Sequence, residues 1–320
     1  MNDTPDETTG PAGATTEPEA IAPSETRAGF VALIGAPNAG KSTLLNALVG
    51  VKVSIVTHKV QTTRALVRGI AMHGASQIIF VDTPGIFRPK RRLERAMVDT
   101  AWGGAREADI VVLLIDAKKG IDEGAEAILD RLADVKLPKL LVLNKIDITK
   151  RDHLLELAQK ANERVAFDET FMVSAAKGYG LDKLMDHLAV SVPPSPWLYP
   201  EDQASDLPMR MLAAEITREK LFLRLHQELP YMSTVETESW QERKDGSVRI
   251  EQTIYVERDS QKMIVLGQGG RTIKAISQAA RGEIAEVLGC PVHLFLFVKV
   301  RENWADDPER YREMGLEFPR

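Results

Sequence analysis

The sequence predicts an α/β domain built on a mostly parallel sheet with helices on both faces, followed by a smaller α+β domain. Three observations predict it. From Gly29 to about Leu188, short apolar runs alternate with segments of helical periodicity, the pattern of βαβ crossovers around a parallel sheet. A stretch with five prolines, Ser191 to Pro208, then breaks the alternation. Beyond it the order changes to helix, two strands, glycine loop, helix and strand.

Taken in order, "FVALIG" reads as a buried strand, "KSTLLNALVG" as a helix, and "ALVRGIAM" and "QIIFVDT" as strands. A helix near Leu93 to Arg106 leads into the strand "DIVVLLIDA". The helix "GAEAILDRLA", the strand "KLLVLNK", the helix "HLLELAQKANER", the strand "ETFMVSA" and the helix "LDKLMDHLAV" complete the domain. Ligands of such sheets bind at the carboxyl ends of the strands. The proline stretch reads as a semi-stiff linker. After it come a helix (Met209 to Glu228), strands Thr234 to Gln241 and Val248 to Glu257 around "KDGS", a glycine loop, a helix (Thr272 to Leu288) and the strand "VHLFLFVKV". Asp245-Gly246 between two alternating runs is a hairpin signal. The boundaries read as an acidic disordered tail over 1–27, a first domain over 28–190, the linker over 191–208 and a second domain over 209–320. No internal repeat is present.

At 320 residues with 44% hydrophobic composition, two cores can be filled. The net charge of -5 sits in the tail, where six acids (Asp3, Asp6, Glu7, Glu17, Glu19 and Glu25) face only Arg27. The remaining chain is formally neutral, so any basic surface must be local. Two runs qualify: "RPKRRLER" (Arg88 to Arg95), and Arg258 to Arg281, with Arg258, Lys262, Arg271, Lys274 and Arg281. Either could equally be a solvated helix face. A single cysteine, Cys290, allows no intrachain disulfide and fits a reducing cytoplasm, with the thiol as a small core residue. Six scattered histidines show no zinc-ligand spacing. The apolar runs, "IVVLLI" among them, fall well short of the ~18 residues of a membrane span. The N-terminus has neither the basic start nor the apolar segment of a targeting peptide.

"GAPNAGKST" (Gly35, Ala36, Pro37, Asn38, Ala39, Gly40, Lys41, Ser42, Thr43) matches G-x-x-x-x-G-K-[ST] between an apolar strand and a helix. Its glycines let the backbone wrap phosphates, Lys41 reaches the β and γ phosphates, and Ser42 ligates Mg²⁺. "DTPG" (Asp82, Thr83, Pro84, Gly85) follows a strand, so Asp82 can hold Mg²⁺ through water while the Gly85 N–H meets a γ-phosphate. "NKID" (Asn144, Lys145, Ile146, Asp147) decides the base, because the Asp147 carboxylate can accept the N1–H and 2-amino protons of guanine, which adenine lacks. In "SAAKG" (Ser174, Ala175, Ala176, Lys177, Gly178) the Ala175 N–H is expected to face guanine O6.

These four motifs, in this order and each at a strand's carboxyl end, resemble the GTPase set of P-loop proteins, which implies GTP and GDP as ligands. In "HKVQTTR" (His58 to Arg64), GTPases place a threonine that joins Mg²⁺ only with γ-phosphate present; Thr63 is the choice and Thr62 the alternative. Lys41 and Thr63 are the expected catalytic pair, and Ser42, Thr63 and Asp82 the expected metal ligands. Ile86 follows Gly85, inside the expected nucleotide shell, where signalling GTPases often carry a water-orienting glutamine. Slow intrinsic hydrolysis is therefore expected. Asn38 resembles the asparagine that holds K⁺ in some relatives, so K⁺ joins Mg²⁺ as an expected cofactor.

The second glycine loop, "VLGQGGRTI", is not G-x-G-x-x-G, because Thr272 stands in the third glycine's place. It fits the GXXG loop of a KH module, which clamps about four nucleotides, and the order helix-strand-strand-helix-loop-helix-strand resembles type II. Lys262, Gly267, Gln268, Gly269, Gly270, Arg271 and Lys274 are the expected RNA contacts. Leu266, Ile273 and Ile276 are expected to belong to the core.

GTPase domain, proline linker, KH domain and the ending "VKVRENWADDPER" together resemble the Era family of bacterial ribosome-assembly GTPases over residues 28 to 318. The resemblance implies binding of the 3′ end of small-subunit ribosomal RNA and of the 30S subunit in the GTP state, with release after hydrolysis. It also implies peripheral association with the inner membrane, for which these residues show no anchor; a monomer is expected. Two other readings stay open: a GTPase whose KH-like domain docks a protein, and an RNA binder whose nucleotide only stabilises the fold.

Overall fold

The computed structural model describes residues 25–226 and 229–319. Residues 1–24 of the expected disordered tail and residues 227–228, at the expected end of a helix, lie outside the described residues. The first sheet has six strands: β1 (Arg27–Gly35), β2 (Val67–His73), β3 (Ser76–Asp82), β4 (Ile110–Asp116), β5 (Lys139–Asn144) and β6 (Glu169–Val173), in the order β2-β3-β1-β4-β5-β6. Only the β2–β3 pair is antiparallel. Successive side chains of a strand point to opposite faces, and β4 shows what that demands of the sequence. Ile110, Val112 and Leu114 enter one apolar cluster, while Val111, Leu113 and Ile115 enter another. The first cluster lies under α1 (Lys41–Val49) and α5 (Leu181–Ser191), the second under α2 (Arg92–Glu107), α3 (Glu123–Ala133) and α4 (Arg151–Arg164). A strand covered on both faces must be apolar throughout, hence "IVVLLI".

The proline stretch is fastened along this sheet. Leu198 N and Tyr199 N donate to Gln77 Oε1 at 2.8 and 2.9 Å, Gln77 Nε2 donates to Tyr199 O at 2.8 Å, and Ile70 N donates to Ala204 O at 2.8 Å. The fully buried amide of Gln77 is thereby satisfied.

The second sheet, β7 (Ser233–Glu242), β8 (Val248–Val256) and β9 (Val292–Val300), pairs β7 with β8 antiparallel and β8 with β9 parallel. Asp245 accepts from Ser247 N at 3.0 Å and Gly246 adopts φ 78° in the connecting turn. The helices α6 (Met209–Arg224), α7 (Asp259–Leu266) and α8 (Arg271–Leu288) carry the remaining connections. α6 stops at Arg224, short of the expected Glu228, and Lys59 Nζ donates to the carbonyls of Phe222 and Leu225 at its end. Such end carbonyls have no partner within their own helix. Past β9 the chain returns to the first domain through α9 (Pro308–Glu313), with Trp304, Tyr311 and Leu316 buried against Leu93, Ala96 and Met97 of α2. Cys290 is a half-buried free thiol beside an apolar cluster.

Candidate nucleotide site and glycine loop

The loop joining β1 to α1 is shaped by its glycines. Gly35 has φ 153° and Gly40 φ 102°, and a Cβ on Gly35 would lie 2.5 Å from Leu114 O, while one on Gly40 would run into the Asn144 amide. Asn38 also takes a positive φ, 65°, and donates to His58 O at 2.9 Å. Gly85 presses on the loop so closely that a Cβ there would sit 2.9 Å from Pro37 Cα. Lys41 opens α1 and folds back, donating to Gly35 O at 3.0 Å and Ala36 O at 3.2 Å. Burial lowers its pKa to about 8, against the opposing pull of Asp82.

Three oxygens converge beneath that loop. Ser42 Oγ donates to Asp82 Oδ2 at 2.6 Å, Ser42 Oγ and Thr63 Oγ1 are 2.9 Å apart, and Thr63 Oγ1 reaches Asp82 Oδ2 at 3.4 Å. Thr62 points elsewhere, its hydroxyl bonded to Thr57 Oγ1 and Lys59 O. The Asp82 carboxyl is fully buried, which raises its pKa, and its Oδ1 has no hydrogen-bond partner. A buried unpaired oxygen beside two hydroxyls is a donor set suited to a hard, oxygen-seeking cation such as Mg²⁺. Among the described residues, no group of three or more His, Cys, Asp and Glu side chains could hold a metal; a site of two hydroxyls and one carboxylate is a different kind. Ser54, which the sequence did not single out, also donates to Asp82 Oδ2, at 2.9 Å.

After Asp82, the Thr83 hydroxyl donates to Leu33 O at 2.7 Å and Pro84 leads into Gly85. Ile86, expected in the nucleotide shell, turns inward. Its N–H donates to Gly35 O at 3.0 Å and its side chain is buried in the apolar cluster beneath α2, so neither group is offered to a ligand.

Asn144 ties the base side together: its Nδ2 donates to Ala39 O at 2.9 Å, and its Oδ1 accepts from Ala175 N at 3.0 Å and Lys145 N at 2.8 Å. Lys145, at φ 69°, extends to Asn38 O at 2.9 Å and to Asp116 Oδ2 at 2.6 Å. Asp116 ends β4 and had no motif to announce it. Ile146 and Asp147 form a single 3₁₀ turn with Ile148, and Asp147 Oδ1 accepts from Ser174 Oγ at 2.7 Å. Ala175 is buried and Ala176 exposed on the "SAAKG" loop. All four motifs therefore meet at one end of the sheet.

The second glycine loop lies apart, between α7 and α8. Gly267, Gly269 and Gly270 have φ of 70°, 60° and 75°. A Cβ on Gly267 would collide with Thr272, whereas Gly269 and Gly270 face open space. Gln268, Arg271 and Lys274 are exposed and Lys262 is half-buried. Ile276 is fully buried, and Leu266 and Ile273 pack against the same cluster, as core residues. Met263 and Ile264, on α7 beside the loop, are 65% and 57% exposed, an apolar rim the sequence reading passed over. Sequence reasoning also missed Arg64 and Arg218. Both are buried between the domains, and burial with Arg218 nearby lowers the pKa of Arg64 to about 9.

Comparison with known proteins follows this division. A family described as 50S ribosome-binding GTPase matches residues 30–145, and the KH domain family matches residues 228–305. GTPase Era of Rhizobium meliloti is 71% identical over 295 residues, covering 92% of this chain and 94% of that protein. GTPase Era of Brucella suis is 70% identical over 311 residues, covering 97% and 98%. Among solved structures, a variant of Aquifex aeolicus Era bound to GDP and tetrafluoroaluminate superposes with TM-score 0.86 at 38% identity, covering 91% of this chain and 99% of that one. Era in complex with MgGDPNP and nucleotides 1506–1542 of 16S ribosomal RNA gives the same TM-score, identity and coverage.

Proposed function

Because the chain belongs to the Era family of GTPases, we propose that it is a GTP-hydrolysing switch that binds the 3′ end of 16S ribosomal RNA and assists 30S subunit assembly and rRNA processing. The observation that carries this reading is the solved Era complex holding both MgGDPNP and the 16S fragment, which this chain matches over nine-tenths of its length.

The protein's own groups have distinct tasks. The backbone of Gly35 to Thr43 wraps the phosphates, and Lys41 places its ammonium against the β and γ oxygens. Ser42, Thr63 and Asp82 hold Mg²⁺, which neutralises charge on those oxygens when bound. Asp147 accepts from guanine N1–H and the 2-amino group, and Ala175 N–H serves O6. Ile86 points into the core and cannot orient water, which supports slow intrinsic hydrolysis. Gly267, Gln268, Gly269 and Gly270 admit an RNA backbone, with Arg271 and Lys274 at the N-terminus of α8 and Lys262 on α7 supplying positive charge.

The Asn38 amide near the phosphate loop supports a K⁺ site as well; turnover in K⁺ should exceed that in Na⁺ at equal ionic strength, and equal rates would remove the site. No helix among the described residues is long and apolar enough to cross a membrane. A cytoplasmic monomer with peripheral inner-membrane association is carried by the family resemblance alone, and sedimentation with inner-membrane vesicles after a salt wash tests it.

The deciding experiment is affinity for a short single-stranded copy of the 16S 3′ end, at fixed salt, with GDPNP and with GDP, beside Gly269→Asp. Tighter binding with GDPNP, lost in the variant, is expected. Equal binding in both states would remove the switch, and no binding would return the KH domain to a protein-docking role.

A further inference from the structure

The stretch between α1 and β2 is bonded to the second domain along its whole length. Lys52 pairs with Glu219 at 2.8 Å and with Glu283. Val56 N donates to Glu219 Oε1 at 2.8 Å. Two contacts bracket Thr63. On its N-terminal side, Arg218 Nη2 of α6 donates to Thr62 O. On its C-terminal side, Arg64 leaves the first domain altogether: Nη1 donates to Ser233 O at 2.9 Å, and Nη2 to Tyr231 O at 3.0 Å and Pro230 O at 3.4 Å. The Arg64 guanidinium lies 5.5 Å from the Trp304 ring and 5.8 Å from that of Phe222, distances at which a cation is attracted to an aromatic face.

We propose that Arg64 and Arg218 are positioning residues for Thr63, so that the second domain completes the γ-phosphate-sensing side of the GTP site. The physical reason is geometric. A residue in a loop has two soft dihedrals, and its hydroxyl is placed only if the chain is fixed on both sides. Here both fixed points are supplied by the other domain: the arginine of α6 before Thr63, and after it the carbonyls of Pro230, Tyr231 and Ser233, the last of which opens β7. A lysine could replace Arg64 only in part, because one ammonium does not reproduce a planar fork that serves three carbonyls. When the second domain is docked, Thr63 is delivered to Ser42 and Asp82; when it leaves, both anchors go with it. GTP and the docked arrangement therefore stabilise each other. This inference rests on the reading of Thr63 as the Mg²⁺ ligand that depends on γ-phosphate.

The test uses the full chain. Affinities for GDPNP and GDP in Mg²⁺, turnover and melting temperature are measured for Arg64→Ala, Arg64→Lys, Arg218→Ala and Thr63→Ala. Arg92→Ala serves as the control, since its 3.2 Å contact with Asp306 joins the same domains away from the switch. The expected result is a roughly tenfold loss of GDPNP affinity in Arg64→Ala and Arg218→Ala, within the range of measured coupling energies, with GDP affinity unchanged. Arg64→Lys should recover part of that loss and Arg92→Ala should show none. If Arg64→Ala fails to fold, Arg218→Ala decides alone; it removes the bond to Thr62 O together with the Glu215 pairing inside α6 and the contact with the Phe222 ring. A fall in melting temperature with an unchanged GDPNP-to-GDP ratio would overturn the proposal and make both arginines simple domain contacts. If Thr63→Ala itself keeps the ratio, the reading of Thr63 fails, which is a separate result.

Discussion

At the residue scale, the proposed choice of base rests on Asp147. Its Oδ1 is held by the Ser174 hydroxyl at 2.7 Å, so the carboxylate has a fixed edge to offer a purine. Asparagine keeps one acceptor oxygen and turns the other into a donor, so one guanine donor is left without an acceptor, at a cost of about 1 to 3 kcal/mol. Asp147→Asn should therefore weaken GTP binding by roughly ten- to a hundredfold, and xanthosine triphosphate, which presents an acceptor where guanine has its amino group, should gain. Competition between the two nucleotides measures this, and an unchanged preference for GTP would exclude Asp147 from base recognition. Asp147 was legible because "NKID" lies at a strand end. Thr63 was only half legible: two adjacent threonines carry the same chemistry, and only the fold shows that Thr63 faces Asp82 while Thr62 bonds Thr57 and Lys59. Ser54 and Asp116 were invisible, since a lone serine in a loop and a strand-terminal aspartate match no spacing. The inward turn of the Ile86 side chain was not legible from its position after Gly85, because sequence proximity says nothing about which way a side chain turns.

At the scale of elements, the sheet was legible wherever periodicity is local. Strands covered on both faces must be continuously apolar, and those covered on one face must alternate, so β4 and β8 both announced themselves. Three segments that depend on distant partners did not. α6 stops where Lys59 of the switch stretch meets its last carbonyls. The proline stretch reads as a spacer by composition, yet it is fixed to the first sheet by Gln77, a polar residue in an otherwise apolar strand. That glutamine was the available signal: a fully buried amide needs partners, and none lay nearby in sequence. The return of Trp304, Tyr311 and Leu316 to α2 had a comparable signal in the aromatic residues of a polar tail. In each case the deciding contact spans a hundred residues or more, beyond the reach of any local pattern.

At the scale of the whole molecule, the stretch between α1 and β2 joins the nucleotide site of the first domain to α6 and α8 of the second. Coupling between two sites is reciprocal: if GTP tightens RNA binding by some factor, RNA must tighten GTP binding by the same factor. The path available here runs from Thr63 through Arg218 into α6, which packs against α8, and the N-terminus of α8 carries Arg271 and the glycine loop. Saturating amounts of the 3′-end RNA should therefore raise the affinity for GDPNP while leaving that for GDP nearly unchanged. The factor should equal the one by which GDPNP raises RNA affinity, in the range of about 5- to 150-fold typical of such coupling. Two variants separate the parts of the path. Gly269→Asp, in a loop where φ is 60° and the space beyond is open, should abolish the effect by repelling RNA, leaving nucleotide binding without RNA as it was. Arg218→Ala should keep RNA binding but reduce the factor toward one. The measurement is nucleotide affinity with and without RNA in all three proteins. RNA that tightens GDP and GDPNP equally would mean that the second domain senses only that a nucleotide is bound, and that the bonds around Thr63 hold the domains together without reporting the γ-phosphate.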